Sequence, residues 1–110
     1  MTKYLEKLTT VAGKLFINGE LVNSQGGNLF DVVNPATEEP IGQAVAGTQA
    51  DVDLAVQSAR TAFNGVWRQT DAHSRGKMLY KLADLIEANA EWLTHYETLN
   101  NGKPISVSTA

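Results

Sequence analysis

At Thr48 the hydrophobic rhythm of the chain changes. Downstream of it Val52, Ala55, Val56, Ala59, Ala62, Phe63 and Val66 recur three or four residues apart, the spacing that lines up one buried face of a helix. Thr48 and Asp51 stand in capping-box register, and Gly65 marks the exit. A second helical region starts near Thr70 or Asp71 and is expected to carry Met78, Leu79, Leu82, Ile86, Leu93 and Tyr96 inward. Lys81, Glu87 and Glu91 then fall on its wet side. Asn89 is suited to break this region and cap a following helix that runs to Gly102.

Upstream of Thr48 the pattern is that of short strands. In KLFINGELVN two apolar runs flank Asn18-Gly19, and both of those residues accept the positive φ of a two-residue hairpin turn. The polar stretch NSQGG leads to NLFDVVNP, where Leu29, Phe30, Val32 and Val33 form a strand that ends near Asn34-Pro35, because proline cannot donate to a ladder. ATEE turns the chain. In PIGQAVAG, Ile41, Gln43 and Val45 share one face and Gly42, Ala44 and Ala46 the other. The fold class read from these periods is α+β, a β-meander followed by amphipathic helices. Residues 1–13 form an amino-terminal arm, with Tyr4, Leu5, Leu8, Val11 and Ala12 at helical spacing, and residues 14–110 the folded segment.

Composition narrows the chemistry. Twelve acidic against nine basic side chains give a net charge of −3 with no run of one sign, so nucleic acid and anionic membranes are poor partners. Lys3, Glu6 and Lys7 interrupt the opening apolar residues, which fits neither a signal peptide nor a membrane span and makes a cytoplasmic setting the default expectation. There is no cysteine, hence no disulfide, no thiolate metal site and no thiol nucleophile.

The other reactive side chains do not assemble into a known constellation. His73 and His95 lack the i, i+4 pairing of a helical zinc site, and His95 reads as a hydrogen-bonded helical histidine. Glu38-Glu39 lies in a turn, while Asp51 and Asp53 lie in a helix's first turn, where the backbone dipole favours acids. The glycines do not match a phosphate-cradling motif, and no serine has the setting of a nucleophile elbow. Trp67 and Trp92 fall near helix ends, where large aromatics usually cover a core. After Asn101-Gly102-Lys103-Pro104 a new helix begins with only Ile105 to Ala110 to build it, too short to be stable without a packing partner.

Taken in order, FINGELV, VVNPATEE, ADVDLAVQSARTAF, WRQTDAHSRGKMLYKLADLIE and ETLNNGKP resemble the amino-terminal stretch of the NAD(P)-dependent aldehyde dehydrogenase superfamily, over about Leu15 to Pro104. The resemblance implies outer strands and helices of an α/β cofactor-binding domain. It also implies an oxidoreductase that, when complete, converts an aldehyde to a carboxylic acid. In the family a cysteine thiolate attacks the carbonyl, hydride passes to the nicotinamide of NAD or NADP, and a glutamate-activated water cleaves the thioester. Those catalytic and cofactor-binding residues belong to motifs beyond Ala110. None is carried over, and the isolated chain is expected to be inactive and to hold no dinucleotide.

The resemblance also implies one site that can be matched residue by residue, a monovalent cation position for Na or K with a further ligand from a later segment; the alternative reading of Asn100 is a helix-end cap. Its matching residues are Val32 and Val33, through backbone carbonyls, and Asn100, where the family usually has Asp. A neutral oxygen in place of a charged one weakens binding of a hard cation. The resemblance further implies an aldehyde substrate and a homo-oligomer. It leads to the expectation that this chain is a shortened gene product or a piece of a longer one; the alternative is a non-catalytic interaction module that docks onto another subunit.

Overall fold

The computed structural model describes residues 13–109, so the arm expected over residues 1–13 lies, Gly13 excepted, outside the described residues. Four strands are followed by helices, as the periods require: β1 (Leu15–Ile17), β2 (Glu20–Val22), β3 (Leu29–Val33), β4 (Pro40–Val45), α1 (Gln49–Asn64), α2 (Val66–Gln69), α3 (Ala72–Ala88), α4 (Ala90–Asn101) and α5 (Ile105–Ser108). The class is α+β.

β1 and β2 form an antiparallel hairpin in which Ile17 faces Glu20, with Asn18 at φ 55° and Gly19 at φ 79° in the turn, as the Asn-Gly pair requires. β3 and β4 form a second antiparallel pair, with Asp31 opposite Gln43; Gln43 Nε2 donates to Asp31 Oδ1 at 3.0 Å across it. The strands follow one another as in a meander but divide into two separate two-stranded ladders. The loop after β2 explains the division, because its Ser24 and Gln25 are tied to the start of α1 rather than leading β2 alongside β3.

Thr48 and Asp51 complete the expected capping box, and Gly65 closes α1, its N–H donating to Thr61 O at 3.0 Å. Asn89 ends α3 and starts α4, but not by the expected side-chain cap on a backbone N–H. Its Oδ1 accepts from the Trp92 indole at 2.8 Å, and its Nδ2 donates to Leu85 O at 2.8 Å. Gly102 ends α4 in the left-handed region at φ 82°, the conformation glycine adopts without a Cβ penalty. Pro104 stands at the N-cap of α5 rather than within its first turn. This four-residue helix is held against α4 by the Thr98 Oγ1 and Ser108 Oγ contact at 2.9 Å.

The expected inward faces are not covered. On α1 the side chains nearest the hairpin are Asp51, Leu54, Ser58 and Thr61, whereas Val52, Val56, Ala59, Ala62, Phe63 and Val66 are exposed and only Ala55 is half-buried. On α3 every residue from Lys77 to Ala88 is exposed, including Met78, Leu79, Leu82 and Ile86, while Leu93 and Tyr96 of α4 are half-buried. Leu99 is the one buried apolar residue among those described. The faces that the periodicity predicts to be inward on α1 and α3 are therefore exposed, because burial needs a second surface and the described residues do not supply it.

Candidate functional site

Two places bring chain-distant residues together. The first is the start of α1, where Asp51 is only 4% exposed. Its Oδ2 accepts from Ser24 Oγ at 2.5 Å, from Thr48 N at 2.8 Å and from Thr48 Oγ1 at 2.9 Å; its Oδ1 accepts from Gln25 N at 2.8 Å. The Gln25 N–H, then the Ser24 hydroxyl and the Thr48 N–H, hold the carboxyl well below the usual carboxylate range, because each stabilises only the charged form. The sequence marked Asp51 as a cap. It did not mark it as the tether of a loop some 27 residues away, although Ser24 in a polar turn was the available signal.

The tether shapes its surroundings. A Cβ on Gly26 would stand 2.5 Å from Thr48 Cγ2, so a side chain there would have to displace Thr48 or the loop that lies on the cap. Between the hairpin and α1 lies an open cleft of about 480 Å³, floored by Ile17, Val22 and Leu54 and edged by Asn18, Asn23 and Gln57. Glu20, Ser58 and Thr61 also line it, and Ser58 Oγ donates to Asn18 Oδ1 at 3.5 Å.

The second place is the turn after β3. Val32 pairs with Gly42 and Val33 with Pro40, which leaves Ile41 as the extra residue of a bulge. Pro40 has no N–H to donate, so the ladder ends at Val33. Asn34, 8% exposed, then folds the chain back: its Oδ1 accepts from Ala36 N at 2.9 Å, its N–H donates to Glu39 O at 2.9 Å and its carbonyl accepts from Glu38 N at 2.8 Å. Pro35 packs on the end of α4, where a Cβ added to Gly102 would approach Pro35 Cγ to 2.8 Å.

Thus the segment carrying Val32 and Val33 and the segment carrying Asn100 are in contact through Pro35 and Gly102, with Asn100 exposed on the last turn of α4. Lys103 Nζ lies 3.0 Å from Glu97 Oε1 on the same helix end. The remaining candidates are scattered. His73 is exposed in the first turn of α3, and His95 Nδ1 lies 2.7 Å from Glu91 O along α4, the helical hydrogen bond expected of it. No group of three or more His, Cys, Asp or Glu able to hold a metal occurs among the described residues.

A dinucleotide does not fit what these residues present. Its cradle needs a parallel strand running through a glycine-rich turn into a helix N-terminus. Both ladders here are antiparallel, and the first turn of α1 is occupied by its own Thr48 and Asp51.

The chain is similar in sequence and in backbone to aldehyde dehydrogenases. The profile of the aldehyde dehydrogenase family matches residues 21–110, and the chain belongs to that family. An aldehyde dehydrogenase of Alternaria alternata is 51% identical over 94 residues, covering 86% of this chain and 19% of its own length. Betaine aldehyde dehydrogenase from Staphylococcus aureus, solved in complex with NAD+, superposes with a TM-score of 0.90 at 36% identity, over 98% of this chain and 22% of that one. The NAD+ complex of aldehyde dehydrogenase from Bacillus cereus gives 0.89 at 42% identity, over 96% and 22%. The chain therefore spans about a fifth of the length of these relatives, at their amino-terminal portion.

Proposed function

We propose that this chain forms the opening part of an NAD-dependent aldehyde dehydrogenase, an oxidoreductase that converts an aldehyde to a carboxylic acid once the remaining segments complete it. The supporting observation is a backbone that follows the Staphylococcus aureus enzyme at a TM-score of 0.90 while accounting for only 22% of that chain. NAD is preferred to NADP because the two solved relatives described above are NAD+ complexes.

The residues present contribute scaffold rather than chemistry. With no thiol in the sequence, the covalent step of a thiol-dependent oxidation has no nucleophile here. The strands, capped helices and Asp51 tether hold backbone geometry onto which a catalytic body can be built.

The same reading includes a weak Na or K site at the Val32 and Val33 carbonyls and Asn100 Oδ1. It is supported by the bulge that ends the ladder at Val33 and by the packing of Pro35 against Gly102.

The test has two arms. The isolated chain is incubated with an aldehyde and NAD, and no reduction above a buffer blank is expected. In parallel, residues 15–104 replace the matching segment of the Bacillus cereus enzyme, and aldehyde-dependent NAD reduction is expected to persist. Turnover by the isolated chain, or a folded but inactive graft, overturns the reading.

A further inference from the structure

The chain contains three Asn-Gly pairs, Asn18-Gly19, Asn64-Gly65 and Asn101-Gly102. In such a pair the glycine nitrogen follows the asparagine side chain with no Cβ to hinder its approach, so the side-chain amide is open to attack by the main chain. All three asparagines are exposed. Exposure therefore does not separate them; the state of the glycine N–H does.

Asn64 and Asn101 are the last residues of α1 and α4. Gly65 N donates to Thr61 O at 3.0 Å and Gly102 N to Thr98 O at 2.9 Å, so both nitrogens are committed to closing their helices. The Gly19 N–H has no hydrogen-bond partner among the described residues, and nothing lies within 4 Å of the position a Cβ on Gly19 would take. Asn18 stands at φ 55°, in the range shared by the first central residue of both tight hairpin turns, which differ by rotation of the central peptide plane. That rotation swings the Gly19 nitrogen towards Asn18 Cγ without moving either strand. Asn18 Oδ1 accepts from Ser58 Oγ at 3.5 Å, while its Nδ2 has no partner among the described residues.

We propose that Asn18-Gly19 is a site of spontaneous deamidation in the folded chain, with water as the one co-reactant, and that Asn64 and Asn101 are protected by their helix ends. The Gly19 nitrogen bonds to Asn18 Cγ and gives its proton to solvent. The Cγ–Nδ2 bond breaks, Nδ2 takes up a proton and leaves as ammonia, and a cyclic imide closes. Water then adds to one of the imide carbonyls. Opening at Cγ leaves an aspartyl residue and opening at the main-chain carbonyl an isoaspartyl residue; nothing is oxidised or reduced.

The two products differ in what they do to the hairpin. The aspartyl form preserves the turn, since Asp-Gly suits it as Asn-Gly does. The isoaspartyl form carries the main chain through Cβ and Cγ, which lengthens the loop and misaligns Ile17 with Glu20. Either form adds a carboxylate beside Glu20 at the edge of the cleft. This site does not rest on the function proposed above.

The experiment follows the three pairs in one sample. The full chain and the folded graft are held in mildly alkaline buffer, and the amide-to-acid mass gain of each Asn-Gly peptide is measured over time after proteolysis. Releasing a nitrogen from one hydrogen bond corresponds to roughly a factor of ten, so conversion at Asn18 is expected to be about tenfold faster than at Asn64 or Asn101. In urea the three rates should converge. Asn18→Asp should abolish the early acidic species on ion exchange and leave the far-UV circular dichroism unchanged.

Faster conversion at Asn18 in either preparation, lost in urea, supports the proposal. Equal rates in both preparations, faster conversion at Asn64 or Asn101, or a preference for Asn18 that survives in urea overturns it. Aldehyde-dependent activity of the graft has no bearing on these rates, so this inference and the proposed function fail separately.

Discussion

Asp51 and Ser24, 27 residues apart, meet in a 2.5 Å hydrogen bond at the start of α1. One carboxylate thereby caps a helix and fixes the angle at which that helix leaves the hairpin. An amide in its place would put an NH2 group among four donors. Asp51→Asn is therefore expected to speed amide exchange in the first turn of α1 and in the loop around Gln25 together. Exchange confined to α1 would show that the tether contributes nothing.

The same carboxyl makes acid stability depend on pH in a defined direction. Its folded pKa lies below the ordinary value of 3.8, so its contribution is fully present above 3.8 and is lost as pH falls through the folded value. Asp71, whose carboxyl accepts from Ser74 N at 2.8 Å, is lowered in the same sense. The difference in urea midpoint between wild type and Asp51→Asn, followed by circular dichroism, should be constant from neutral pH down to about 3.8 and shrink below it. A difference that grows on acidification would contradict the assigned cause.

Gly26→Ala tests the close approach at the cap. Its Cβ would stand 2.5 Å from Thr48 Cγ2, and Thr48 cannot rotate away without losing the capping box. Overpacking of this kind costs about 1–3 kcal/mol. Thr48→Ser removes the methyl and keeps the hydroxyl, so the double variant should recover most of the loss in urea unfolding; additive losses would place the strain elsewhere.

At the other end of the fold, Gly102→Ala forces φ 82° on a residue with a Cβ and drives that atom to 2.8 Å from Pro35. The left-handed conformation alone costs roughly 1–2 kcal/mol. The graft carrying this change should melt at lower temperature and show faster exchange at both the α4 end and the Asn34 turn. An unchanged melting temperature would deny the contact any weight.

For the proposed cation site, Asn100→Asp restores a charged oxygen. Stabilisation of the graft by Na or K chloride, measured against choline chloride, should increase in Asn100→Asp over the parent. Equal salt responses would remove Asn100 from the ligand set.

Local structure was legible in the residues that force it. Asn18-Gly19 dictates a hairpin turn, Thr48 with Asp51 a helix start, and Gly102 a helix stop, because each rests on backbone sterics or on hydrogen bonds spanning a few residues. Family membership was legible for a related reason, since the order and spacing of short motifs survive in the sequence. The contact of Pro35 with Gly102, which brings the segments of Val32, Val33 and Asn100 together, needed the fold.

What the sequence determined alone is therefore where elements begin, end and carry their apolar stripes. What only the tertiary structure decided is which stripe meets which surface. Val56, Leu82 and Ile86 carry a core-like period yet lie in water, and the Asp51 carboxylate, a residue of the first helical turn, binds Ser24 and Gln25 of the loop after β2. Periodicity reports which face of a helix prefers to leave water; whether it can depends on a second surface, and α1 is tied to the loop after the hairpin by two short, directional hydrogen bonds from Ser24 and Gln25 to Asp51 rather than by non-directional apolar burial.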